Sequence, residues 1–291
     1  MKKFKLGEFE RNSAIVFAIS MLANVVTYLY QIVMGNLLSP ADYGTINTLL
    51  SLSIVVGVPS GIISTLVATY TAKYQAVGKP ELIGGFMHKM LRASVLLACV
   101  VFAAGAALSS IIANVLQIEE TRYILATMVV VAFSCVVPVF SCTLQGVKRF
   151  VPYSINGVLN IAIRLLLSIT FVRMGFGIGG NLAAVILAAF ATAAFCFWCA
   201  RDLFFAPKIE QLHLDRTEIR RYFVSTFWFQ LFLLLMANGD VLLIKTFAAD
   251  PAEVGIYSSG SVIGKISLYL ANAIVPVLLP MVAERQSTGH D

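Results

Sequence analysis

Three ionisable side chains stand inside long apolar runs: Arg164, Asp240 and Lys265. Charge at membrane depth is costly, so such residues face a polar cavity or a partner and mark binding sites or ion pathways. Arg164 and Lys265 are basic, and a guanidinium suits phosphate because its planar fork donates two hydrogen bonds at once. Asp240 either binds a coupling proton or cation, or pairs with Arg164, Lys245 or Lys265. Arg164 belongs to a stripe in which Asn156, Asn160, Arg164 and Ser168 recur every four residues, on one face of a helix. Ser20, Asn24, Tyr28 and Gln31 form a second stripe, and Ser258, Ser261, Lys265 and Asn272 share roughly one face of a third segment. Each stripe lines a cavity or bonds helix to helix, since Asn and Ser hydrogen-bond across helices in lipid.

Catalytic chemistry has no comparable candidates. No D-x-D, H-E-x-x-H or G-x-S-x-G occurs, and His88, His213 and His290 are scattered without metal-ligand spacing. Cys196 and Cys199 form a C-x-x-C, but within A-F-C-F-W-C-A they read as small apolar residues of a lipid-embedded helix. Gly175, Gly177 and Gly180 spell G-x-G-x-x-G after a membrane-length helix rather than a strand, which predicts a tight outer turn and no dinucleotide site. The expectation is a non-enzymatic protein with no cofactor and no metal.

The elements that carry these residues follow from composition. The chain has 291 residues, 59% hydrophobic and only 12% charged, with a mean hydropathy of +0.86. A soluble domain carries about 25% charged residues, so lipid must solvate much of this surface. Apolar runs at about 13–37, 43–71, 90–113, 121–145, 152–173, 178–200, 222–247 and 254–282 each approach the ~20 residues a membrane helix needs. They predict an all-α polytopic bundle of about eight transmembrane helices. The first run, behind Lys2, Lys3, Lys5 and Arg11, is too long for a signal-peptide core and is followed by no A-x-A cleavage site, so it reads as a retained crossing. Of the 21 Lys and Arg, sixteen fall on one side of the expected topology. Arg122, Arg173 and Lys245 fall on the other, and Arg164 and Lys265 lie within crossings. This bias puts both termini of the chain in the cytoplasm. The net charge of +6 follows topology rather than a basic patch with exposed aromatics, so no nucleic-acid partner is expected. Pro59, flanked by Gly57 and Gly61, and Pro276 with Pro280 are candidate hinges, or the ordinary prolines of membrane helices.

A shift of 211 residues aligns the sequence with itself. S-P-A-D-Y-G at 39–44 meets D-P-A-E-V-G at 250–255, and A-K-Y-Q-A-V-G at 72–78 meets A-E-R-Q-S-T-G at 283–289. Six helices separate the copies, so the repeat is parallel, about an axis along the membrane normal. The expected organisation is a six-helix lobe at 1–200, a basic cytoplasmic linker at 201–221 lying against anionic headgroups, and the first two helices of a second lobe at 222–291. The chain then reads as a fragment or truncated form of a protein with at least twelve crossings.

The stretches N-L-L-S-P-A-D-Y-G (36–44), G-V-K-R-F-V-P-Y-S (146–154), R-L-L-L-S-I-T-F-V-R-M-G-F-G-I-G-G (164–180), N-G-D-V-L-L-I-K (238–245), E-V-G-I-Y-S-S-G (253–260) and V-P-V-L-L-P-M-V-A-E-R (275–285) together resemble the polysaccharide-biosynthesis, O-antigen-flippase-like branch of the multidrug/oligosaccharidyl-lipid/polysaccharide exporter superfamily. The resemblance runs from end to end of the chain. It implies two lobes around a central cavity, alternating access, and an inner-membrane flippase for polyprenyl-diphosphate-linked oligosaccharide such as an O-antigen, capsule or exopolysaccharide repeat. It also implies membrane lipid and other polysaccharide-assembly membrane proteins as partners. The cavity candidates are Arg164, Lys265, Asn160, Asn156, Asn24 and Gln31, with Asp240 as the ion-coupling candidate. Two readings stand beside it: a multidrug cation exporter of the same superfamily, whose site should favour acidic lining, and a non-transporting membrane interaction protein.

Overall fold

The computed structural model describes residues 6–76, 78, 81–205 and 216–265, and every regular element among them is helical. In chain order these are α1 (Leu6–Leu37), α2 (Pro40–Val56), α3 (Val58–Ala76), α4 (Glu81–Ala107), the short α5 (Ser109–Val115), α6 (Thr121–Gly146), α7 (Phe150–Phe171), α8 (Gly177–Phe204), α9 (Arg216–Phe247) and α10 (Pro251–Gly264). Five stretches are long and apolar enough to cross a bilayer, and the pair α2–α3 makes a sixth. One of the five, Phe150–Phe204, has 55 residues. It would be about 80 Å long if straight, against a hydrocarbon core of ~30 Å. It doubles back instead. A π-helical turn at Val172–Phe176 ends with Gly175 at φ 88° and Gly177 at φ 49°, conformations that cost glycine nothing. The two arms are then tied by Asn160 Nδ2 donating to Thr192 Oγ1 at 3.2 Å. The G-x-G-x-x-G segment is thus a turn between two crossings. The eighth expected crossing is covered by α10 to Gly264, and its remainder, with Asn272, Pro276 and Pro280, lies outside the described residues.

The run 43–71, expected as one crossing with a candidate hinge at Pro59, is broken at Gly57, and α2 and α3 meet at 50°. The cause is Pro59. In a continuous helix it would remove the hydrogen bond to the Val55 carbonyl and clash with it. By restarting at Val58, α3 puts Pro59 in its first turn, where an N–H has no helical partner anyway. The run 90–113 is likewise divided at Leu108 into α4 and α5, and α4 begins earlier than expected, at Glu81.

α6 is the post around which the bundle is built, packing on α3, α4, α8 and α2. Its inward stripe of Met128, Val131, Cys135 and Val139 is fully buried. Outward faces are equally apolar: Leu96, Phe190, Trp198 and Met236 are all exposed. That inverts the soluble pattern and suits a lipid solvent.

The repeat partners α2 and α10 pack on each other. Both begin with a side-chain cap followed by proline. The Ser39 side chain accepts from Asp42 N, and Asp250 Oδ1 accepts from Ala252 N at 2.8 Å. A Cβ on Gly44 would lie 2.7 Å from Gly255 N, and one on Gly255 would lie 2.0 Å from the Pro40 carbonyl oxygen. Residues aligned by the 211-residue shift are thus in backbone contact. For equivalent points related by a two-fold axis, such contact occurs only beside the axis.

Candidate functional site

At the end of the bundle away from Lys148 and Arg149, α2 packs on α9 and α10 in a closed seam. Beside the Gly44–Gly255 contact, Lys245 near the end of α9 is 4% exposed, and its Nζ donates to Thr45 Oγ1 of α2 at 3.3 Å. Gln117, in the turn before α6, donates from Nε2 to the Thr246 carbonyl at 3.1 Å. Lys245, expected at the end of a crossing on the side away from the basic bias, is packed inside the seam, because α9 carries it against α2.

Near the opposite, basic end lies a cavity of about 660 Å³. From α1 it takes Ser20 and Asn24, and from α3 Ser64, Thr65 and Thr69. On its other side stand Ser141 and Gln145 of α6 with Tyr153, Ser154 and Asn156 of α7. All four helices contribute their stretches nearest the turn at Lys148 and Arg149, or the matching depth of α1 and α3, so the cavity sits at one level of the bundle. The end is pinned by Arg149, which donates from Nη1 to Asp202 Oδ1 and to the Cys199 carbonyl, both at 2.9 Å. Asn156 Oδ1 and Ser154 Oγ are buried without a hydrogen-bond partner. No charged side chain lines the cavity among the described residues.

The α7 stripe does not line one cavity; neighbouring helices divide it. Asn156 reaches the cavity with Asn24, whereas Asn160 is a helix–helix bond to Thr192 of α8. The Arg164 guanidinium lies over the Tyr30 ring of α1, 4.1 Å from its centroid. Behind it, the Tyr30 hydroxyl and the Asn181 amide exchange hydrogen bonds at 2.8 and 3.1 Å, and Asn181 Nδ2 also reaches Ser168 Oγ at 3.3 Å. Arg164 itself takes no part in that network: its Nε and Nη2 are buried with no hydrogen-bond partner. Gln31 of the α1 stripe accepts from the Tyr43 hydroxyl of α2 at 3.1 Å.

α9 and α10 form a polar pair. Asp240 Oδ2 accepts from the Tyr257 hydroxyl at 3.0 Å and from Ser261 Oγ at 3.2 Å, while its Oδ1 is buried without a partner. Lys265 Nζ donates to Asn238 Oδ1 at 3.3 Å. Asp240 thus meets hydroxyls rather than Arg164, Lys245 or Lys265. Pro59 sits at the α2–α3 bend, and Pro276 lies outside the described residues. Among the described residues no cluster of His, Cys, Asp or Glu is arranged to hold a metal ion.

The family described as polysaccharide biosynthesis protein matches residues 9–286. No curated protein matches the chain. Solved structures share the fold. An inward-facing multidrug resistance MATE family transporter of the MOP superfamily aligns with TM-score 0.63 and 14% identity, over 90% of this chain and 59% of its own. An outward-facing structure of a transporter so described aligns with TM-score 0.62 and 18% identity, over 91% and 61%. A MOP superfamily transporter from Pyrococcus furiosus, described as having a binding pocket of reverse polarity that suggests a different function, aligns with TM-score 0.60 and 17% identity, over 92% and 61%. The chain spans about three-fifths of the length of these relatives.

Proposed function

We propose, from the premise that the chain belongs to the polysaccharide biosynthesis protein family, that it works as a membrane transporter and flips polyprenyl-diphosphate-linked oligosaccharide across the cytoplasmic membrane. Arg164 carries this reading. A guanidinium with two buried, unpartnered nitrogens in a low-dielectric setting is electrostatically incomplete, and an anion would complete it. A diphosphate is such an anion. The multidrug-cation alternative fits less well, because an unpaired arginine repels a cationic ligand. In this reading both termini of the chain face the cytoplasm. The cavity lies near the basic end while the seam at Gly44 and Gly255 closes the other, which fits an inward-open arrangement. Lys265 is the second basic group offered to the headgroup, and rocking of the two lobes alternates access.

Asp240 is the coupling group in this scheme. Its buried Oδ1 has no hydrogen-bond partner and is the atom that would take the proton or small cation, while Tyr257 and Ser261 hold Oδ2 in place. Asp240→Asn keeps the shape and removes the charge. It should leave ligand affinity intact and reduce transport driven by an ion gradient to the rate seen without a gradient. Counterflow measured in proteoliposomes separates the two effects.

The reading is tested in cells from which the gene encoding this chain is deleted, by quantifying extracted polyprenyl-linked oligosaccharide alongside surface polysaccharide. Accumulation of the linked intermediate with loss of surface polymer is expected. Unchanged pools together with new sensitivity to cationic drugs would replace the flippase by the exporter.

A further inference from the structure

We infer that the cavity between α1, α3, α6 and α7 is a binding site for an uncharged sugar, the first residue attached to the diphosphate; this rests on the flippase reading and specifies its substrate. Sugar hydroxyls are both donors and acceptors and carry no net charge, and the cavity wall has the complementary character. Ser64 Oγ donates to the Ser60 carbonyl at 2.7 Å and Thr65 Oγ1 to the Gly61 carbonyl at 3.1 Å. Their donors are thus engaged by their own helix, and each keeps a lone pair to accept from a ligand, Ser64 Oγ also meeting the Cys142 thiol. Ser154 Oγ and Asn156 Oδ1 are buried without partners, and buried polar atoms are nearly always satisfied. A ligand hydroxyl is what both lack.

The absence of charge sets the specificity. A uronic acid or phosphorylated sugar would bring an anion into a wall that holds no Lys or Arg among the described lining residues, and its desolvation would go uncompensated. The volume of about 660 Å³ lies within the range of small-molecule sites. Position also fits. Asn156 and Arg164 are eight residues apart on α7, about 12 Å along the helix. In this proposal the Arg164 side chain reaches along α7 toward the diphosphate of a ligand whose first sugar sits in the cavity.

The test uses the purified full chain in lipid nanodiscs with three probes: farnesyl diphosphate, the same lipid bearing N-acetylglucosamine, and the same lipid bearing glucuronic acid. The neutral sugar should raise affinity about tenfold over the bare lipid, and the uronate should add nothing. Asn156→Leu should abolish the sugar increment and leave farnesyl diphosphate affinity unchanged, which also reports that the variant is folded. Thr69→Val, an isosteric loss of one hydroxyl, should reduce the increment in part and serves should Asn156→Leu not fold. If farnesyl diphosphate binds but the neutral sugar adds nothing, the uronate binds better, or both variants keep the full increment, the sugar site is wrong while the flippase reading survives. If no probe binds the wild-type chain, both fall.

Discussion

Gly255→Leu should hold the seam between the lobes open and abolish transport. In the wild type a Cβ at this position would lie 2.0 Å from the Pro40 carbonyl oxygen and 3.0 Å from Pro40 Cα. Both are backbone atoms at the start of α2, which cannot swing aside as a side chain can. Overpacking a well-packed site costs about 1–3 kcal/mol, and the seam has little margin to absorb it. Closing it buries the Lys245 ammonium, whose hydrogen bond is to the neutral Thr45 hydroxyl, with Glu119 adding electrostatic attraction. Desolvating an ammonium costs several kcal/mol, so closure is a balance of opposed contributions. A further 1–3 kcal/mol then shifts the closed population by roughly 5- to 150-fold. The shift is read by labelling Thr45→Cys, in a background without the native cysteines, with a membrane-impermeant maleimide. The rate should rise sharply in Gly255→Leu and fall in Lys245→Met, which removes the buried charge at similar volume. Unchanged labelling in Gly255→Leu would mean that the seam does not gate the pathway.

Arg164→Gln should weaken binding of a prenyl diphosphate by about 10- to 150-fold, the worth of a charge-assisted hydrogen bond of ~1.5–3 kcal/mol. Its effect on stability should be smaller, because Arg164 contributes to the fold mainly through its position over the Tyr30 ring, worth up to ~2 kcal/mol when desolvated. The Tyr30–Asn181–Ser168 network behind it stays satisfied without the guanidinium. Arg164→Glu should be worse on both counts, since a carboxylate over a ring face is repelled by the same quadrupole that attracts a cation. Affinity measured in nanodiscs beside the unfolding midpoint tells the roles apart. A Gln variant that loses stability and keeps its affinity would make Arg164 a helix-packing residue.

Much of the scaffold is legible in the sequence because lipid imposes it. Apolar runs had to become helices, and glycines at Gly175 and Gly177 after a membrane-length run had to be a turn. Gly44 and Gly255, aligned across 211 residues, meet where α2 packs on α10, a contact that the alignment alone does not predict. What stayed hidden depends on neighbours. The four-residue spacing of Asn156, Asn160, Arg164 and Ser168 defines a helix face, but α1 and α8 decide that Asn160 is packing and Asn156 is cavity. Ser64, Thr65, Thr69, Ser141 and Gln145 drew no notice, since isolated hydroxyls on membrane helices are common and only the packing of α3 against α6 turns these toward one space. The bend at Gly57 was legible in Pro59. The burial of Lys245 was not, because composition cannot say that α9 carries it under α2.

Flipping is measured by reconstituting the chain in proteoliposomes with a fluorescent polyprenyl-diphosphate-linked neutral disaccharide and following how much becomes accessible to an impermeant quencher on the far leaflet. Translocation that an ion gradient accelerates is expected, with Arg164→Gln inactive and Asp240→Asn insensitive to the gradient. Translocation no faster than in protein-free vesicles, with a cationic dye moved instead, would contradict the flippase reading.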